Sequence, residues 1–294
     1  QNIVGRKANN SSGASAQSML EEGFTNHQEG RLQQAEELYR QALQVDPNNP
    51  DALNLLAIIA DTTGRNDEAI GLMEKAVAAS PENPDLLNNL GQLYKKSERL
   101  DDAIEVYKTA IAADPNYAEA HNNLGNVLTM IGRFEEAIGY FRNALEIDPN
   151  NARTHYNLAT TLFEQKNFPD AIEAFRRVIT IDANYADAYN NLGSALIKLG
   201  KLEEAVISFR QALALKPLDA EAHYNLGVAY SDQGNNIEAV TCFTEAIRIN
   251  PDYGSAHFKL GIVYGRRGEI EQAIACFTEA IRINPDYAQS HYNL

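Results

Sequence analysis

Residues 118–151 read AEAHNNLGNVLTMIGRFEEAIGYFRNALEIDPNN, and this pattern of 34 residues recurs along the chain without a change of length. Its proline marks the register. Eight equivalent residues lie 34 positions apart: Pro47, Pro81, Pro115, Pro149, Ala183, Pro217, Pro251 and Pro285. A fixed period of about 20–50 residues is typical of stacked repeats. The period therefore predicts an elongated repeat protein.

Eight complete repeats result when the proline is placed at position 32 of each unit. Their bounds are 16–49, 50–83, 84–117, 118–151, 152–185, 186–219, 220–253 and 254–287, and residues 288–294 start a ninth, truncated repeat. Residues 1–15 lack apolar periodicity and are rich in Ser, Asn and Gly, so we expect a flexible leader. The last residues stop within a first helix. We expect the natural protein to continue there, or the uncapped face to self-associate.

Four columns of the repeat predict a helical hairpin. Position 8 is Gly or Ala, position 20 is always Ala, position 24 is large, and position 15 is Gly in six repeats. Small residues let two helices approach closely, and the large residue is expected to fill the space between this hairpin and the next. The glycine suits a turn at positive φ, and the proline is expected to end the second helix. We predict helices over about positions 2–14 and 18–31.

By period and by column identity, residues 16–287 resemble the tetratricopeptide repeat family. The resemblance implies an all-α fold, a right-handed solenoid of antiparallel helix pairs with the first helices on the concave face. One such hairpin cannot bury its apolar face alone, whereas a stack buries a continuous core. A solenoid of this kind offers a long groove rather than a pocket.

Composition narrows the class of partner. The net charge of −15 disfavours nucleic acid and anionic membranes, because both require basic patches. No apolar run approaches the length of a membrane-spanning helix. There is no phosphate-binding glycine loop, HExxH motif or nucleophile elbow. We therefore expect a cytoplasmic protein that is not an enzyme, takes no cofactor or metal, and binds proteins or peptides.

Histidine and cysteine also follow the repeat. Five histidines share position 4: His121, His155, His223, His257 and His291. Equivalent atoms of neighbouring repeats lie about 10 Å apart, whereas metal ligands converge to about 2.0–2.2 Å from one ion. This column is therefore interpreted as a packing site. Cys242 and Cys276 are likewise one repeat apart, so we predict two free thiols.

Asparagine recurs at position 6 of the first helix, although it is a poor residue for a helix interior. An amide can pair with both the C=O and the N–H of an extended peptide. We predict that this asparagine ladder binds peptide, with Leu55 and Lys259 interrupting it. The predicted residues are Asn89, Asn123, Asn157, Asn191, Asn225 and Asn293 at position 6, Asn88, Asn122, Asn190, Tyr156 and Tyr224 at position 5, and Asn126 at position 9.

Two other interpretations of the ladder stay open. The asparagines would hydrogen-bond between adjacent helices and set the superhelical twist, or they were inherited passively when repeats were duplicated. The stretch CFTEAIRINPDY, present at both 242–253 and 276–287, shows that duplication occurs in this chain.

The phrases AEAHNNLGNVL, ADAYNNLGSAL and AEAHYNLGVAY resemble the repeats of O-GlcNAc transferases and their SPINDLY-type relatives. That resemblance implies an asparagine ladder that holds acceptor polypeptides, and it raises an alternative function: the substrate-recruiting region of a glycosyltransferase whose catalytic domain is absent from this chain. A clamp for the acidic tails of heat-shock chaperones is disfavoured, because position 5 has no lysine and position 2 is mostly acidic.

Overall fold

A computed structural model describes residues 4–285, with side chains from residue 15 onward. All sixteen regular elements in that range are α-helices, and they fall into two compact units, Gln1–Pro149 and Asn150–Leu294. The first unit contains α1 Val4–Gln28, α2 Leu32–Val45, α3 Pro50–Thr62, α4 Asn66–Ala79, α5 Pro84–Lys96, α6 Leu100–Ala113, α7 Ala118–Met130 and α8 Phe134–Ile147. The second contains α9 Ala152–Glu164, α10 Phe168–Ile181, α11 Ala186–Lys198, α12 Leu202–Leu215, α13 Ala220–Asp232, α14 Asn236–Ile249, α15 Gly254–Arg266 and α16 Ile270–Ile283.

Within each unit the helices pack as a stack of consecutive pairs. Each odd-numbered helix packs on the even-numbered helix that follows it, and that even-numbered helix packs on the next odd-numbered one. Successive odd-numbered helices also touch, as α5 and α7 do in the first unit and α11 and α13 in the second. Within the described residues, no two even-numbered helices approach each other as closely. The predicted all-α stack is confirmed, and the first helices lie on the inner side of each unit.

The turn within each hairpin is built around the glycine at position 15. The six glycines there have φ between 73° and 81°, and in the fourth repeat the Arg133 amide closes the turn by donating to the Leu128 carbonyl at 2.8 Å. Glu98 (φ 58°) and Lys166 (φ 64°) adopt the same left-handed conformation in the two repeats that lack the glycine. The stacked helices therefore impose this turn even on residues that disfavour it.

Proline at position 32 proves unnecessary for ending the second helix. Helix α10 ends at Ile181, the position equivalent to Ile147 of α8, although Ala183 replaces the proline there. The Asp182 amide still donates to the Val178 carbonyl at 2.8 Å, and a tight turn leads into α11. The end of α10 therefore forms with the same capping hydrogen bond in the absence of proline.

The flexible leader expected over residues 1–15 stays a prediction, and in the described part of that segment α1 is a continuous helix from Val4. Nucleation is the costly step in helix formation, and adding residues to an existing helix is easy. The packed half of α1 supplies that nucleus, and the residues before it contain no proline. Although α1 has 25 residues, neither it nor any other helix in the described range is long and apolar enough to cross a membrane.

The aromatic residue at position 24 packs against its own hairpin. A Cβ atom on Gly125 would lie 2.7 Å from Cε1 of Phe141, and one on Gly91 would lie 2.5 Å from Cε1 of Tyr107. Both rings are fully buried. Position 8 is therefore small because the aromatic ring of the second helix occupies the space where its side chain would be.

Candidate functional site

The asparagines at position 6 reach back by one repeat. Four of them donate from Nδ2 to the residue at position 5 of the preceding first helix. The four bonds are Asn89 to Asn54 Oδ1 at 3.1 Å, Asn123 to Asn88 Oδ1 at 2.9 Å, Asn191 to the Tyr156 hydroxyl at 2.9 Å, and Asn225 to Asn190 Oδ1 at 3.1 Å. The interpretation that the asparagines hydrogen-bond between adjacent helices is thus confirmed at these four positions.

Burial divides the predicted residues into two sets. Asn88, Asn122, Asn123 and Asn190 are between 2% and 7% exposed, which leaves little surface for a ligand. Asn89, Asn126, Asn157, Asn191 and Asn225 are half-buried on the inner helices. Asn293 lies outside the described residues. The half-buried set is the part of the ladder that a peptide can reach.

The half-buried amides keep hydrogen-bonding capacity. Asn89, Asn191 and Asn225 each donate one bond. Within the described part of the chain, their Oδ1 atoms and second N–H groups have no partner. Each amide is therefore held in one orientation while an acceptor and a donor stay available to a ligand.

The two tyrosines at position 5 pack against tyrosines at position 34, the residue just before the next first helix. The Tyr156 ring lies 5.0 Å from that of Tyr185, and the Tyr224 ring lies 5.1 Å from that of Tyr253. Burial raises the pKa of Tyr253 to about 12, so this phenol is neutral at physiological pH. Sequence reasoning missed the aromatic stack, although the recurrence of tyrosine at position 34 was visible.

Two clefts open beside ladder residues, one in each unit. The cleft of the first unit contains Asn89 together with Ile58, Met73 and Lys95. The cleft of the second unit contains Asn191 together with Phe163, Phe175, Glu164 and Glu221. Apart from the ladder residue, the walls of the two clefts come from positions 2, 8, 9, 10, 12, 13 and 24. Each cleft therefore places different side chains beside a ladder residue.

The histidine column has a structural role that goes beyond packing. The Nε2 atoms of His121, His223 and His257 lie 3.0, 3.1 and 3.0 Å from the carbonyl oxygens of the preceding position-32 prolines. Each histidine thereby ties the turn before a first helix to that helix. Within the part of the chain that the structure describes, no three His, Cys, Asp or Glu residues are placed to hold a metal ion.

The two cysteines are free thiols, as predicted. Cys242 is buried and Cys276 is partly buried, and burial raises the pKa of each thiol to about 11. Both are therefore neutral and weakly nucleophilic at physiological pH.

Several solved structures are similar to this chain in fold. YrrB, described as a TPR protein with an unusual peptide-binding site, is 24% identical, with a TM-score of 0.55 over 64% of this chain and 97% of that one. MamA is 29% identical, with a TM-score of 0.53 over 56% of this chain and 97% of that one. PilF of Pseudomonas aeruginosa is 21% identical, with a TM-score of 0.63 over 72% and 96%. A search of curated protein sequences finds no match.

Family models identify the repeats themselves. Models described as "Tetratricopeptide repeat" match residues 28–84, 88–152, 128–178, 220–253 and 254–287, and one described as "TPR repeat" matches 159–200 and 193–234. None of these matches tests the resemblance to O-GlcNAc transferases, which stays a prediction. Together the matches cover residues 28–84 and 88–287, so the chain belongs to the tetratricopeptide repeat family.

Proposed function

We propose that this chain binds extended segments of partner proteins along the first helices, through the half-buried asparagines of its ladder. The fold itself supports a protein-interaction scaffold. The observation that carries the finer proposal is the geometry of Asn89, Asn191 and Asn225. Each uses one N–H to bond the preceding repeat and keeps its carbonyl oxygen and second N–H for a ligand.

A preorganised amide is a good partner for a peptide backbone. The inter-repeat bond holds the side chain in place before the ligand arrives, so little conformational entropy is lost on binding. Packed helices lie about 10 Å apart, and an extended chain advances about 3.3–3.6 Å per residue. Neighbouring ladder residues would therefore contact a peptide backbone at roughly every third residue.

The buried asparagines have a complementary role in this proposal. Asn88, Asn123 and Asn190 hold consecutive first helices in register from within the stack. Within the second unit, Asn191 and Asn225 then present their free groups on successive first helices. The peptide-binding site named for YrrB supports the proposal only at the level of a shared fold.

Selection from a displayed library of random linear peptides tests the proposal. The wild-type chain is expected to enrich peptides that the variant Asn89→Ala/Asn191→Ala/Asn225→Ala loses, with helicity checked by circular dichroism. These substitutions remove only half-buried amides, so the stack is expected to remain folded. Enrichment of the same peptides by both proteins would overturn the role of the ladder, and failure to enrich any peptide would overturn the proposed function.

Tyr156→Phe is the matched control. It removes the hydroxyl that accepts the Asn191 bond but leaves the Asn191 amide in place. If Asn191 binds the peptide, this variant keeps most of the affinity that Asn191→Ala loses. If Asn191 acts only between repeats, the two variants weaken binding and stability alike.

The recruiting region of a glycosyltransferase is the alternative, supported by phrases such as AEAHNNLGNVL. The asparagine ladder would then hold acceptor polypeptides. The gene sequence that encodes the residues after Leu294 tests it: a transferase domain supports the alternative, and a stop codon after a capping helix removes it.

A further inference from the structure

The cleft of the second unit carries two carboxylates that are not paired with a cation of the protein. It lies between α9, α10, α11 and α13, and it is lined by Thr160, Phe163, Glu164, Phe175, Asn191, Ser194 and Glu221. Neither Glu164 nor Glu221 forms an ion pair with any described residue. Both are exposed, so a ligand at Asn191 would meet two negative charges.

Some other acidic side chains of this unit are paired with basic residues of the protein. Lys216 pairs with Asp187 at 2.7 Å, and Arg176 pairs with Glu204 at 2.8 Å. In the first unit, Lys96 occupies the repeat position that Lys198 occupies in the second, and Lys96 pairs with Asp61. Here Phe163 replaces the aspartate, so Lys198 forms no such pair. Glu164 and Glu221 thus keep their negative charge, because neither is paired with a cation among the described residues.

The placement of Glu164 works against the stability of the free protein. Glu164 is the last residue of α9, where the exposed carbonyl groups carry partial negative charge. A carboxylate at a helix C-terminus is unfavourable, whereas a cation there is favourable. A cation bound beside Glu164 would therefore offset a repulsion that is built into the free protein.

The remaining wall of the cleft suits a long basic side chain. Phe163 and Phe175 provide aromatic surface, and Asn191 provides a free amide oxygen. The methylene groups of lysine or arginine pack on apolar surface while the charged end stays polar. A cation within about 6 Å of an aromatic ring centre gains a further attraction.

We propose that this cleft binds a lysine or arginine side chain of the peptide that lies along the first helices. The inference rests on the proposed function and deepens it. Asn191 holds the backbone of the ligand, while Glu164 and Glu221 select a basic residue near that point. The overall charge of −15 favours the same class of ligand by attracting basic segments from a distance.

The peptide library selection tests this cleft with two further variants of the full chain. Glu164→Gln/Glu221→Gln removes both carboxylates of the cleft with little change of shape. Glu203→Gln/Glu238→Gln is the matched control, since it removes the same charge from exposed positions on α12 and α14. The wild type and the control are expected to select peptides with lysine or arginine at one fixed position, and the cleft variant to lose that preference.

The affinity of a single selected peptide then measures how much its basic residue contributes to binding. Replacing its basic residue with glutamine is expected to weaken binding to the wild type about tenfold and to the cleft variant less than about twofold. Equal losses in both proteins would overturn the proposal.

The outcomes separate the two hypotheses. Peptides that depend on Asn191 and Asn225 but show no fixed basic position would overturn the charged subsite and leave the ladder intact. Absence of any selected peptide would overturn both.

Discussion

Asn123 donates from Nδ2 to Oδ1 of Asn88 at 2.9 Å, and both side chains are buried between consecutive first helices. A buried amide that loses its partner keeps the full cost of leaving water. The contact therefore makes the register of α5 and α7 depend on a specific polar pair rather than on apolar packing alone.

Replacing Asn123 with alanine is expected to lower the free energy of unfolding by about 1–3 kcal/mol, because it leaves Oδ1 of Asn88 unsatisfied. Asn89→Ala is the control: Asn89 and its acceptor Asn54 are both half-buried, so water can replace the lost bond and the cost is expected to be below about 1 kcal/mol. Urea denaturation measures both. In a double-mutant cycle, Asn88→Ala should cost less when Asn123 is already alanine. Strict additivity would mean that the two amides do not couple.

Tyr107→Phe is expected to stabilise the protein. The Tyr107 hydroxyl is buried and has no hydrogen-bond partner among the described residues, and burial raises its pKa. Phenylalanine already occupies this position in later repeats, as Phe141 does opposite Gly125. Removing the hydroxyl should raise the free energy of unfolding by about 1 kcal/mol.

Tyr94→Phe is the contrasting variant, because the Tyr94 hydroxyl donates to Glu74 at 2.8 Å. It is expected to be neutral or destabilising by thermal denaturation. A lower melting temperature for Tyr107→Phe would show that the Tyr107 hydroxyl has a partner.

Gly125→Ala is expected to destabilise the protein by about 1–3 kcal/mol, because overpacking a close contact forces side chains and backbone to shift. The new Cβ would lie 2.7 Å from the ring of Phe141. Gly139→Ala on α8 is the control, since its Cβ would meet nothing within 4 Å. That change should stabilise by up to about 1 kcal/mol through helix propensity. A harmless Gly125→Ala would mean that α7 and α8 can separate without cost.

Glu98→Gly is expected to raise the free energy of unfolding by up to about 1 kcal/mol, because glycine relieves the left-handed conformation. Glu98 has φ 58° at the position where six repeats have glycine. Gly132→Ala makes the opposite change at φ 76° and is expected to destabilise. Chemical denaturation of the two variants should give shifts of opposite sign.

The ion-pair cluster of the first unit predicts a dependence of stability on acid. Arg65 donates to both carboxylate oxygens of Glu36, at 2.8 and 2.9 Å. Hydrogen bonding by Arg65 lowers the pKa of Glu36 below its ordinary value of 4.5. The stabilisation is therefore present above pH 4.5 and is lost as the pH falls through the pKa of the folded state.

Glu36→Gln should therefore flatten the loss of melting temperature on acidification below pH 4.5. Glu37→Gln alters a neighbouring carboxylate that has no ion pair among the described residues, and it is expected to leave the acid profile unchanged. Identical profiles for Glu36→Gln and the wild type would contradict a role for this ion pair.

Much of the fold follows from local properties that the sequence displays directly. The period of 34 residues determined the number of hairpins, their helix bounds and the left-handed turn at Gly132 and its equivalents. The proline and glycine columns that mark these features can be read without knowing how the repeats contact one another, whereas the turns at Glu98 and Lys166 depend on packing. The helix over residues 4–15 was not predicted, because it depends on the packed segment that follows it.

The properties of the candidate site, in contrast, depend on contacts between repeats. The sequence alone placed Asn88, Asn123, Asn191 and Asn225 in the same first-helix columns. Only the tertiary structure decided that Asn88 and Asn123 are buried against each other, while Asn191 and Asn225 keep surface for a ligand. Exposure and hydrogen-bond partners depend on residues 35 positions away, and no local pattern encodes them. The sequence thus determined the repeat and the column of amides, and contacts between the repeats decided which amides a partner can reach.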